Sequence, residues 1–364
     1  MTWRVGILGA TGAVGQKMIR CLAGHPWFRV TEVAASERSA RKSYADAAHW
    51  MQDSAIPDGV SRLEVKFAEP GLECDFVLSA LDSTVAGPIE EQFALAGYPV
   101  ISNSRNHRMD EDVPLVIPEV NPDHLELISW QKEQRGYTTG YLVTNPNCST
   151  VGLAMALKPL DDAFGVAEVF VVTMQALSGA GYPGVASLDA VDNVIPFISG
   201  EEEKMQTEPR KILGHLAGRT VRFADFKVSA HCNRVPVMDG HLESVSVRLK
   251  NKVSIADVRR ALVEFEGEPQ RLGLPTAPHH PILVNEDSDR PQPRRDRDAG
   301  KGMTVSVGRI RPCEIADCRF TVLVHNTIRG AAGAAILNAE LLADRGLIPH
   351  RDRAEASTVT KERA

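Results

Sequence analysis

Short apolar runs alternate with amphipathic stretches through the first 147 residues of the chain. Residues 3–9 have the composition of a buried strand, and residues 13–22 have the 3.6-residue apolar period of a helix. Further strand candidates lie at residues 30–35, 76–79, 100–102 and 142–144, separated by helical stretches such as residues 85–96. Because strands that alternate with helices form parallel sheets, this pattern predicts an α/β fold with a doubly wound parallel sheet.

The hydrophobic pattern changes after Cys148. Longer β segments follow, several of them with the alternation of a sheet covered on one face only, at residues 166–174, 227–230, 242–249, 304–310 and 320–324. The last periodic segment, residues 328–342, is rich in Ala and Gly. It predicts a helix that packs closely against another element.

The two patterns predict two domains and a tail. We place a nucleotide-binding domain at residues 1–147, completed by a C-terminal helix at residues 328–345, and a mixed α/β domain at residues 148–327. Residues 350–364 are expected to form a disordered tail. The polar segment 285–301, with mixed charges, is either an exposed loop or an arm at a subunit interface.

Composition and charge argue against several classes of function. The chain has 364 residues, a formal net charge of −6 and no long basic run, so nucleic acid and anionic membranes are poor candidates as partners. No apolar stretch approaches the ~20 residues needed to cross a bilayer, and the N-terminus lacks the pattern of a signal peptide. Six scattered cysteines form no C-x-x-C pair, which argues against a disulfide framework and a zinc site. We therefore expect a cytoplasmic protein without a metal.

A glycine-rich turn joins the first predicted strand to the first predicted helix. Gly9, Gly12 and Gly15 allow the backbone to turn tightly and to approach a pyrophosphate, whose charge the helix N-terminus stabilises. The spacing differs from G-x-G-x-x-G, but the position between a strand and a helix favours dinucleotide binding. The predicted cofactor contacts in this turn are Gly9, Thr11, Gly12, Ala13, Val14 and Gly15.

The end of the second predicted strand bears on the choice between NAD and NADP. A hydroxyl and an arginine suit a 2′-phosphate, so Ser36, Arg38 and Ser39 favour NADP. Glu37 argues the other way, because an inward carboxylate would repel a phosphate. We expect NADP, and tighter binding of NAD would contradict this expectation.

Cys148 lies between the apolar run 141–144 and a helical pattern at 151–157. Backbone N–H groups and the positive end of a helix favour a thiolate at such a turn, which makes Cys148 a candidate nucleophile. A buried structural cysteine is the alternative. His241, at the mouth of a strand, is a candidate for proton transfer, and Arg234 suits a carboxylate, although residues of both types are often structural or solvent-exposed.

Five motifs in a consistent order resemble a known family. They are Gly-Ala-Thr-Gly-Ala-Val-Gly at 9–15, Pro-Asn-Cys-Ser-Thr at 146–150, Gln-Ala-Leu-Ser-Gly at 175–179, Arg-Val-Pro-Val-Met-Asp-Gly-His at 234–241 and Asn-Thr-Ile-Arg-Gly-Ala-Ala-Gly at 326–333. The set is similar to the aspartate-β-semialdehyde dehydrogenases, most of all to the branch found in archaea and fungi. The resemblance runs from the first strand to the last helix and leaves out only the tail.

The resemblance implies a reaction, a set of residues and an assembly. The reaction is NADPH-dependent reductive dephosphorylation of L-aspartyl-4-phosphate to L-aspartate-4-semialdehyde and phosphate, and its reverse, in biosynthesis of lysine, threonine, methionine and isoleucine. Cys148 is implied as the nucleophile and His241 as the general acid/base. The other implied contacts are Arg234 for the substrate carboxylate, Glu208 for its ammonium group, Arg108 and Lys211 for its phosphate, Asn147 and Gln175 beside the nucleophile, and Asn326 for the nicotinamide. A catalytic and dimerisation domain that forms a homodimer or homotetramer is implied as well.

Two positions depart from the family pattern. Pro209 stands between Glu208 and Lys211, so either a helix starts near Pro209 or the geometry of the pair is altered. Arg41 lies where glycine is common, in the loop after the second strand. Both departures lie close in sequence to predicted binding residues, and neither changes the motif around Cys148.

Three other functions compete with this interpretation. A malonyl-CoA reductase of the same family is the nearest, but its substrate has no ammonium group for Glu208 to bind. N-acetylglutamyl-phosphate reductase shares the nucleotide turn and the cysteine, but fits less well around Gln175 and His241. A catalytically silent nucleotide-binding subunit would tolerate loss of the polar residues that this chain contains.

Overall fold

The computed structural model describes residues 2–350 and divides into two compact units. Within the described residues, the first unit comprises residues 2–116, Asp123–Asn145 and residues 335–350, and the second comprises Ile117–Pro122 and Pro146–Ala334. The hydrophobic pattern does not indicate that the short segment Ile117–Pro122 groups with the second unit. Of the predicted tail, only His350 lies within the described residues.

The strands are, in chain order, β1 (Trp3–Leu8), β2 (Phe28–Ala35), β3 (Val65–Phe67), β4 (Phe76–Ser79), β5 (Pro99–Ser102), β6 (Tyr141–Thr144), β7 (Val166–Gln175), β8 (His215–Ala217), β9 (Thr220–Arg222), β10 (Lys227–Arg234), β11 (His241–Leu249), β12 (Ile282–Asn285), β13 (Val305–Pro312) and β14 (Cys318–Val324). The α-helices are α1 (Ala13–Cys21), α2 (Tyr44–Ala47), α3 (Asp58–Ser61), α4 (Ala86–Leu95), α5 (Leu127–Arg135), α6 (Cys148–Phe164), α7 (Ser187–Ala190), α8 (Glu201–Ile212), α9 (Ile255–Val263), α10 (Glu268–Leu272), α11 (Pro293–Asp296) and α12 (Gly333–Asp344). Four short segments have other helical geometry, namely the 3₁₀ turns Pro122–Glu126, Leu177–Ala180 and Ala299–Gly302 and the π-helical turn Ile328–Ala332.

The first unit contains a six-stranded sheet in the order β3-β2-β1-β4-β5-β6, in which all neighbours are parallel. Every residue of β4, β5 and β6 is buried. Continuous burial is typical of parallel strands with both faces covered. The predicted doubly wound parallel sheet is confirmed.

The second unit contains a six-stranded mixed sheet in the order β10-β7-β11-β14-β13-β12. β7 and β10 run parallel, whereas β11 is antiparallel to both of its neighbours. Along β11, every second residue from His241 to Leu249 is buried, and α6 packs against β11 and β14. This alternation confirms the predicted mixed α/β unit, and it places polar residues such as His241 on the covered face.

Two helices differ from the sequence expectation. The predicted helix at 328–342 begins with the π-helical turn Ile328–Ala332 and continues as α12. The helix around Pro209 starts at Glu201, so the idea that a helix begins near Pro209 is wrong. Among residues 2–350, no helix has both the length and the apolar composition needed to cross a bilayer. Nor do these residues include a group of His, Cys, Asp or Glu that could hold a metal ion.

Candidate active site

Cys148 is the first residue of α6, and Asn147 caps this helix. The side-chain Oδ1 of Asn147 accepts hydrogen bonds from the backbone N–H groups of Ser149 and Thr150, at 3.0 and 3.3 Å. The backbone N–H of Asn147 donates to Oε2 of Glu208 at 2.6 Å. The cap therefore satisfies two of the unpaired N–H groups at the helix start and holds Cys148 where the helix dipole favours a thiolate.

His241 lies against the cysteine. Its Nε2 is 3.2 Å from Sγ of Cys148, and its Nδ1 accepts a hydrogen bond from the backbone N–H of Ala176 at 3.0 Å. The ring is fully buried. Burial, followed by the positive charge of Arg234, lowers the pKa of His241 to about 3. The imidazole is therefore neutral at physiological pH.

Arg234 and Gln175 complete the polar end of the covered sheet face. They are direct partners in the register of β10 and β7, and each is the last residue of its strand. Nη1 of Arg234 donates to the carbonyl oxygen of Ala176 at 2.7 Å. The period of two along β7, β10 and β11 explains why Arg234, Gln175 and His241 are all buried on this face.

Glu201 contacts two of the predicted site residues, and the sequence interpretation missed it. Its carboxylate accepts from Nδ2 of Asn147 at 2.9 and 3.1 Å and from Nε2 of Gln175 at 3.2 Å, and it pairs with Lys204 at 2.6 Å. Burial disfavours its charge, but Lys204 and the two amides hold the pKa of Glu201 below its usual range. Glu201 thus holds the side-chain amides of both Asn147 and Gln175.

The sequence contains a partial signal for Glu201, the helical spacing of α8. Buried residues of α8 recur at Glu201, Met205, Glu208 and Ile212, which is one stripe of helical spacing. Glu208 and Lys211 are 2% and 1% exposed. Both side chains are therefore buried, although Pro209 lies between them in the helix. The run of three glutamates at 201–203 obscures which of them turns inward.

The turn before His241 is held from two directions. Oδ1 of Asn326 accepts from the backbone N–H of Gly240 at 2.8 Å, and its Nδ2 donates to Oγ of Ser178 at 2.8 Å. Nη1 of Arg297 donates to the carbonyl oxygen of Asp239 at 3.1 Å. Part of the polar segment 285–301 therefore supports this turn and is not simply an exposed loop.

The π-helical turn Ile328–Ala332 closes against the nucleophile. A Cβ atom at Gly330 would lie 2.7 Å from Cβ of Cys148, so only glycine allows this approach. Arg329, buried in the same turn, forms two hydrogen bonds with the Glu119 carboxylate, at 2.8 and 2.6 Å. Single π-turns occur often at functional sites, and this one was not apparent from the sequence.

Glu243 lies two residues after His241 on the same covered face of β11. Its side chain is fully buried, and neither carboxylate oxygen has a hydrogen-bond partner. Burial raises the pKa of Glu243 well above its usual range. Burial without a hydrogen-bond partner therefore favours the protonated, uncharged form of this carboxyl group.

In the first unit, the glycine-rich turn has the geometry expected of a dinucleotide site. A Cβ at Gly15 would lie 2.4 Å from the carbonyl oxygen of Gly9, which fixes how closely α1 approaches the turn. Gly12 is exposed at the start of α1. The residues present therefore fit a pyrophosphate at the helix N-terminus.

The predicted contacts for the 2′-phosphate follow β2. Ser36, Glu37 and Arg38 are exposed there, and the backbone N–H of Ser39 donates to the carbonyl oxygen of Ser36 at 2.9 Å to close the turn. Arg41 has a φ of 67°, in the left-handed region that favours glycine. The departure noted at Arg41 thus reflects a backbone conformation that glycine adopts without strain.

Arg108 also lies in the first unit, in the loop after β5. Its Nη2 donates to the carbonyl oxygen of Asn103 at 2.8 Å. The adjacent His107 pairs through Nδ1 with Asp110 at 2.9 Å, and Asp110 also binds Arg135 at 2.8 Å. The two predicted phosphate ligands, Arg108 and Lys211, therefore come from different units.

Two family models match successive parts of the chain. The model described as Semialdehyde dehydrogenase, NAD binding domain, matches residues 4–128. The model described as Semialdehyde dehydrogenase, dimerisation domain, matches residues 157–329. The boundary between the two models falls in the stretch that contains Cys148.

Several relatives and solved structures of nearly the same length are named aspartate-semialdehyde dehydrogenase. An aspartate-semialdehyde dehydrogenase of Archaeoglobus fulgidus is 52% identical over 349 residues, which cover 96% of this chain and 100% of that protein. One of Schizosaccharomyces pombe is 50% identical over 353 residues, which cover 95% of this chain and 99% of that protein. The crystal structure of aspartate semialdehyde dehydrogenase with NADP from Candida albicans matches with a TM-score of 0.88 and 44% identity, and covers 96% of this chain and 100% of that chain. These matches confirm the resemblance, and the chain belongs to the aspartate-semialdehyde dehydrogenase family.

Proposed function

We propose that this chain reduces L-aspartyl-4-phosphate to L-aspartate-4-semialdehyde with NADPH, and catalyses the reverse reaction, through a thioester on Cys148. The observation that carries the proposal is the 3.2 Å contact between Sγ of Cys148 and Nε2 of His241 at the start of α6. A nucleophile at a helix N-terminus beside a histidine and an arginine has the elements that acyl transfer needs.

The cofactor assignment rests on two features of the first unit. The turn from Gly9 to Gly15 suits a pyrophosphate, and Ser36 and Arg38 are exposed where a 2′-phosphate would lie. Ser39 and Asn326 are proposed as further contacts. NADPH, when bound, supplies the hydride that reduces the acyl group.

Cys148 acts as the acyl carrier in this proposal. Its thiolate adds to the acyl phosphate carbonyl and forms a C–S bond, the C–O bond to phosphate breaks, and the departing phosphate keeps the electron pair and takes one proton from solvent. After reduction of the thioester carbon, the C–S bond breaks, and sulfur regains its electron pair as the aldehyde leaves. His241, in contact with this sulfur, acts at both steps in which the substrate oxygen carries negative charge.

Each charged group of the substrate has a proposed partner. Arg234 would bind the α-carboxylate, Glu208 the ammonium group, and Arg108 and Lys211 the phosphate, while Asn147 and Gln175 orient the carbonyl. A carboxylate for an ammonium group favours aspartyl phosphate over malonyl-CoA, which has no ammonium group. Each proposed pair joins opposite charges in a site with little water, where such pairs are strong.

Two measurements test the proposal. Oxidation of NADPH, followed with aspartyl phosphate and separately with malonyl-CoA, is expected only with the first substrate. Cys148→Ser should abolish turnover with NADPH binding unchanged, whereas Cys313→Ser, a matched change at a partly exposed cysteine, should retain full activity. Normal turnover by the Cys148→Ser protein would overturn the nucleophile assignment.

We also propose that the chain forms a homodimer or homotetramer and works in the cytoplasm. Large apolar side chains are exposed between residues 182 and 197, among them Leu188 at 92%, Val191 at 68% and Phe197 at 65%. Apolar patches of this kind mark protein interfaces. Light scattering after size-exclusion chromatography should give a dimer or tetramer mass, and Leu188→Glu should lower it.

A further inference from the structure

One peptide unit next to His241 is bound at both of its polar ends. It joins Asp239 to Gly240, directly before His241 in the chain. Its carbonyl oxygen accepts a hydrogen bond from Nη1 of Arg297 at 3.1 Å, and its N–H donates to Oδ1 of Asn326 at 2.8 Å. Because a trans peptide unit is planar and its C=O and N–H point in opposite directions, the two side chains bind it from opposite edges.

We infer that Arg297 is a positioning residue for the proposed reaction: together with Asn326 it fixes the orientation of the 239–240 peptide unit, which places the His241 ring against Cys148. This inference rests on the proposed function. It gives the polar segment 285–301 a part in the reaction, because Arg297 acts on His241 through the backbone and not through contact with the substrate.

The peptide unit needs outside partners because Gly240 does not restrict its rotation. The φ of Gly240 is 100°, in a region that glycine enters easily and other residues avoid. A Cβ at Gly240 would lie 3.2 Å from Cβ of Pro293 and 3.3 Å from Cβ of Arg297, so the turn lies directly against α11 and the residue that follows it. Packing and hydrogen bonds from outside the turn therefore set the direction in which the chain enters β11.

The segment that carries Arg297 is itself well held. The carboxylate of Asp296, which is buried, accepts from the backbone N–H of Gln292 at 2.6 Å and from Nε of Arg290 at 2.6 Å. These bonds connect both ends of α11 to the loop before it. Arg297 thus donates from a fixed base.

The other end of the peptide unit is held with equal economy of motion. Besides its bond to Gly240, Asn326 donates from Nδ2 to Oγ of Ser178 at 2.8 Å, which fixes the plane of its amide. An NH₂ group carries two N–H donors, so this bond is compatible with the proposed nicotinamide contact of Asn326.

The placement matters because the ring contacts on both sides are short. Nε2 of His241 is 3.2 Å from Sγ of Cys148, and Nδ1 is 3.0 Å from the backbone nitrogen of Ala176. Rotation of the 239–240 unit would move the Cα of His241 and lengthen both contacts. Displacements of about 1 Å at a reacting group can lower the rate on the order of 100-fold.

Three variants of one segment test the inference. Arg297→Met removes the donor but keeps a long side chain, whereas Arg297→Lys can still donate to the Asp239 carbonyl. Arg294→Met is the matched control, at an exposed position in α11. For Arg297→Met we expect kcat to fall roughly 10- to 100-fold, the size expected for loss of a hydrogen bond from a charged group, with the KM for aspartyl phosphate and the Kd for NADPH unchanged. Arg297→Lys should recover most of this loss, and Arg294→Met should keep full activity.

A second measurement needs no turnover. Alkylation by iodoacetamide, followed by mass spectrometry of the peptide that contains Cys148, reports the amount of thiolate at this residue. A hydrogen bond with His241 favours the thiolate, so Cys148 in Arg297→Met should react more slowly at neutral pH and with its pH midpoint shifted upward. In Arg294→Met the profile should match that of the unaltered protein.

Unchanged kcat and unchanged alkylation in folded Arg297→Met would overturn the inference. A fall in kcat with an equal loss of NADPH affinity would also overturn it, because that result indicates a general disturbance of the fold. If Arg297→Met does not fold, Arg297→Gln, which stays polar but is shorter, gives the same test with the same expected loss. Absence of dehydrogenase activity in the unaltered protein would instead refute the proposed function, and the alkylation profiles would still test the placement of His241.

Discussion

The two units build their predicted sites from different atoms. In the first unit, the predicted cofactor turn is made of backbone groups, and its shape depends on the space beside Gly9 and Gly15. In the second unit, the predicted site is made of side chains: Gln175, Arg234 and His241 lie on one buried sheet face. Glu201 joins Gln175 to Asn147 at the start of α6. The first kind of site should be sensitive to added volume, and the second should be sensitive to a change of charge at constant volume.

Among the variants that test this contrast, the largest effect should come from volume added to the turn of the first unit. In Gly15→Ala, the new methyl group would lie 2.4 Å from the Gly9 carbonyl oxygen, so the turn or α1 has to shift. We expect the Kd for NADPH to rise on the order of 100-fold, since displacements of about 1 Å have effects of this size. Fluorescence titration of NADPH measures the change.

Gly59→Ala is the matched control in the same unit. A Cβ at Gly59 meets no atom within 4 Å, so cofactor affinity should stay as in the unaltered protein. Unchanged NADPH binding in Gly15→Ala would mean that the turn is not shaped by this approach. The claim that backbone packing shapes the cofactor site of the first unit would then be wrong.

The sequence predicted the first unit well because its determinants are local. A strand, a glycine turn and a helix within residues 3–22 define the predicted dinucleotide site, and the periodicities of strand and helix are both readable there. The grouping of residues 117–122 with the second unit could not be predicted, because it depends on contacts such as Glu119 with Arg329, 210 residues apart.

A smaller effect should come from a change of charge in the second unit. Glu201→Gln keeps the shape of the side chain, but it removes the charge that Lys204 pairs with and that both neighbouring amides bind. Hydrogen bonds to charged groups contribute about 1.5–3 kcal/mol, so we expect kcat to fall roughly 10- to 100-fold. Steady-state kinetics with the proposed substrate, together with the Kd of NADPH, separates this loss from a loss of cofactor binding.

Glu203→Gln removes a charge from the same helical turn at an exposed position, so it controls for the general effect of charge near the α8 N-terminus. Its kcat should be unchanged. If both variants lose the same activity, the specific contacts of Glu201 with Asn147 and Gln175 do not explain the effect.

The sequence predicted less of the second unit, and the reason is physical. Alternation along β7, β10 and β11 accounts for the burial of Gln175, Arg234 and His241, but it does not specify which atoms meet. The direction of the His241 hydrogen bonds depends on the Ala176 backbone, 65 residues away in the chain. A contact of that kind follows from strand register, which no single segment encodes.

The smallest effect should appear in stability and not in activity. Buried Asp75 in the first unit pairs with Arg4 at 2.8 Å, whereas buried Glu243 in the second unit has no partner, and burial raises its pKa well above the usual range. As pH rises past the unfolded pKa of about 4.3, the unfolded state loses this proton while the folded state keeps it, so stability falls by up to about 1.4 kcal/mol per pH unit.

Glu243→Gln removes this contribution. The apparent melting temperature of this variant minus that of the unaltered protein should therefore increase between pH 5 and pH 7. Glu264→Gln, at an exposed position, should give a curve parallel to that of the unaltered protein, and a parallel curve for Glu243→Gln would show that this carboxyl group ionises normally or is paired in solution.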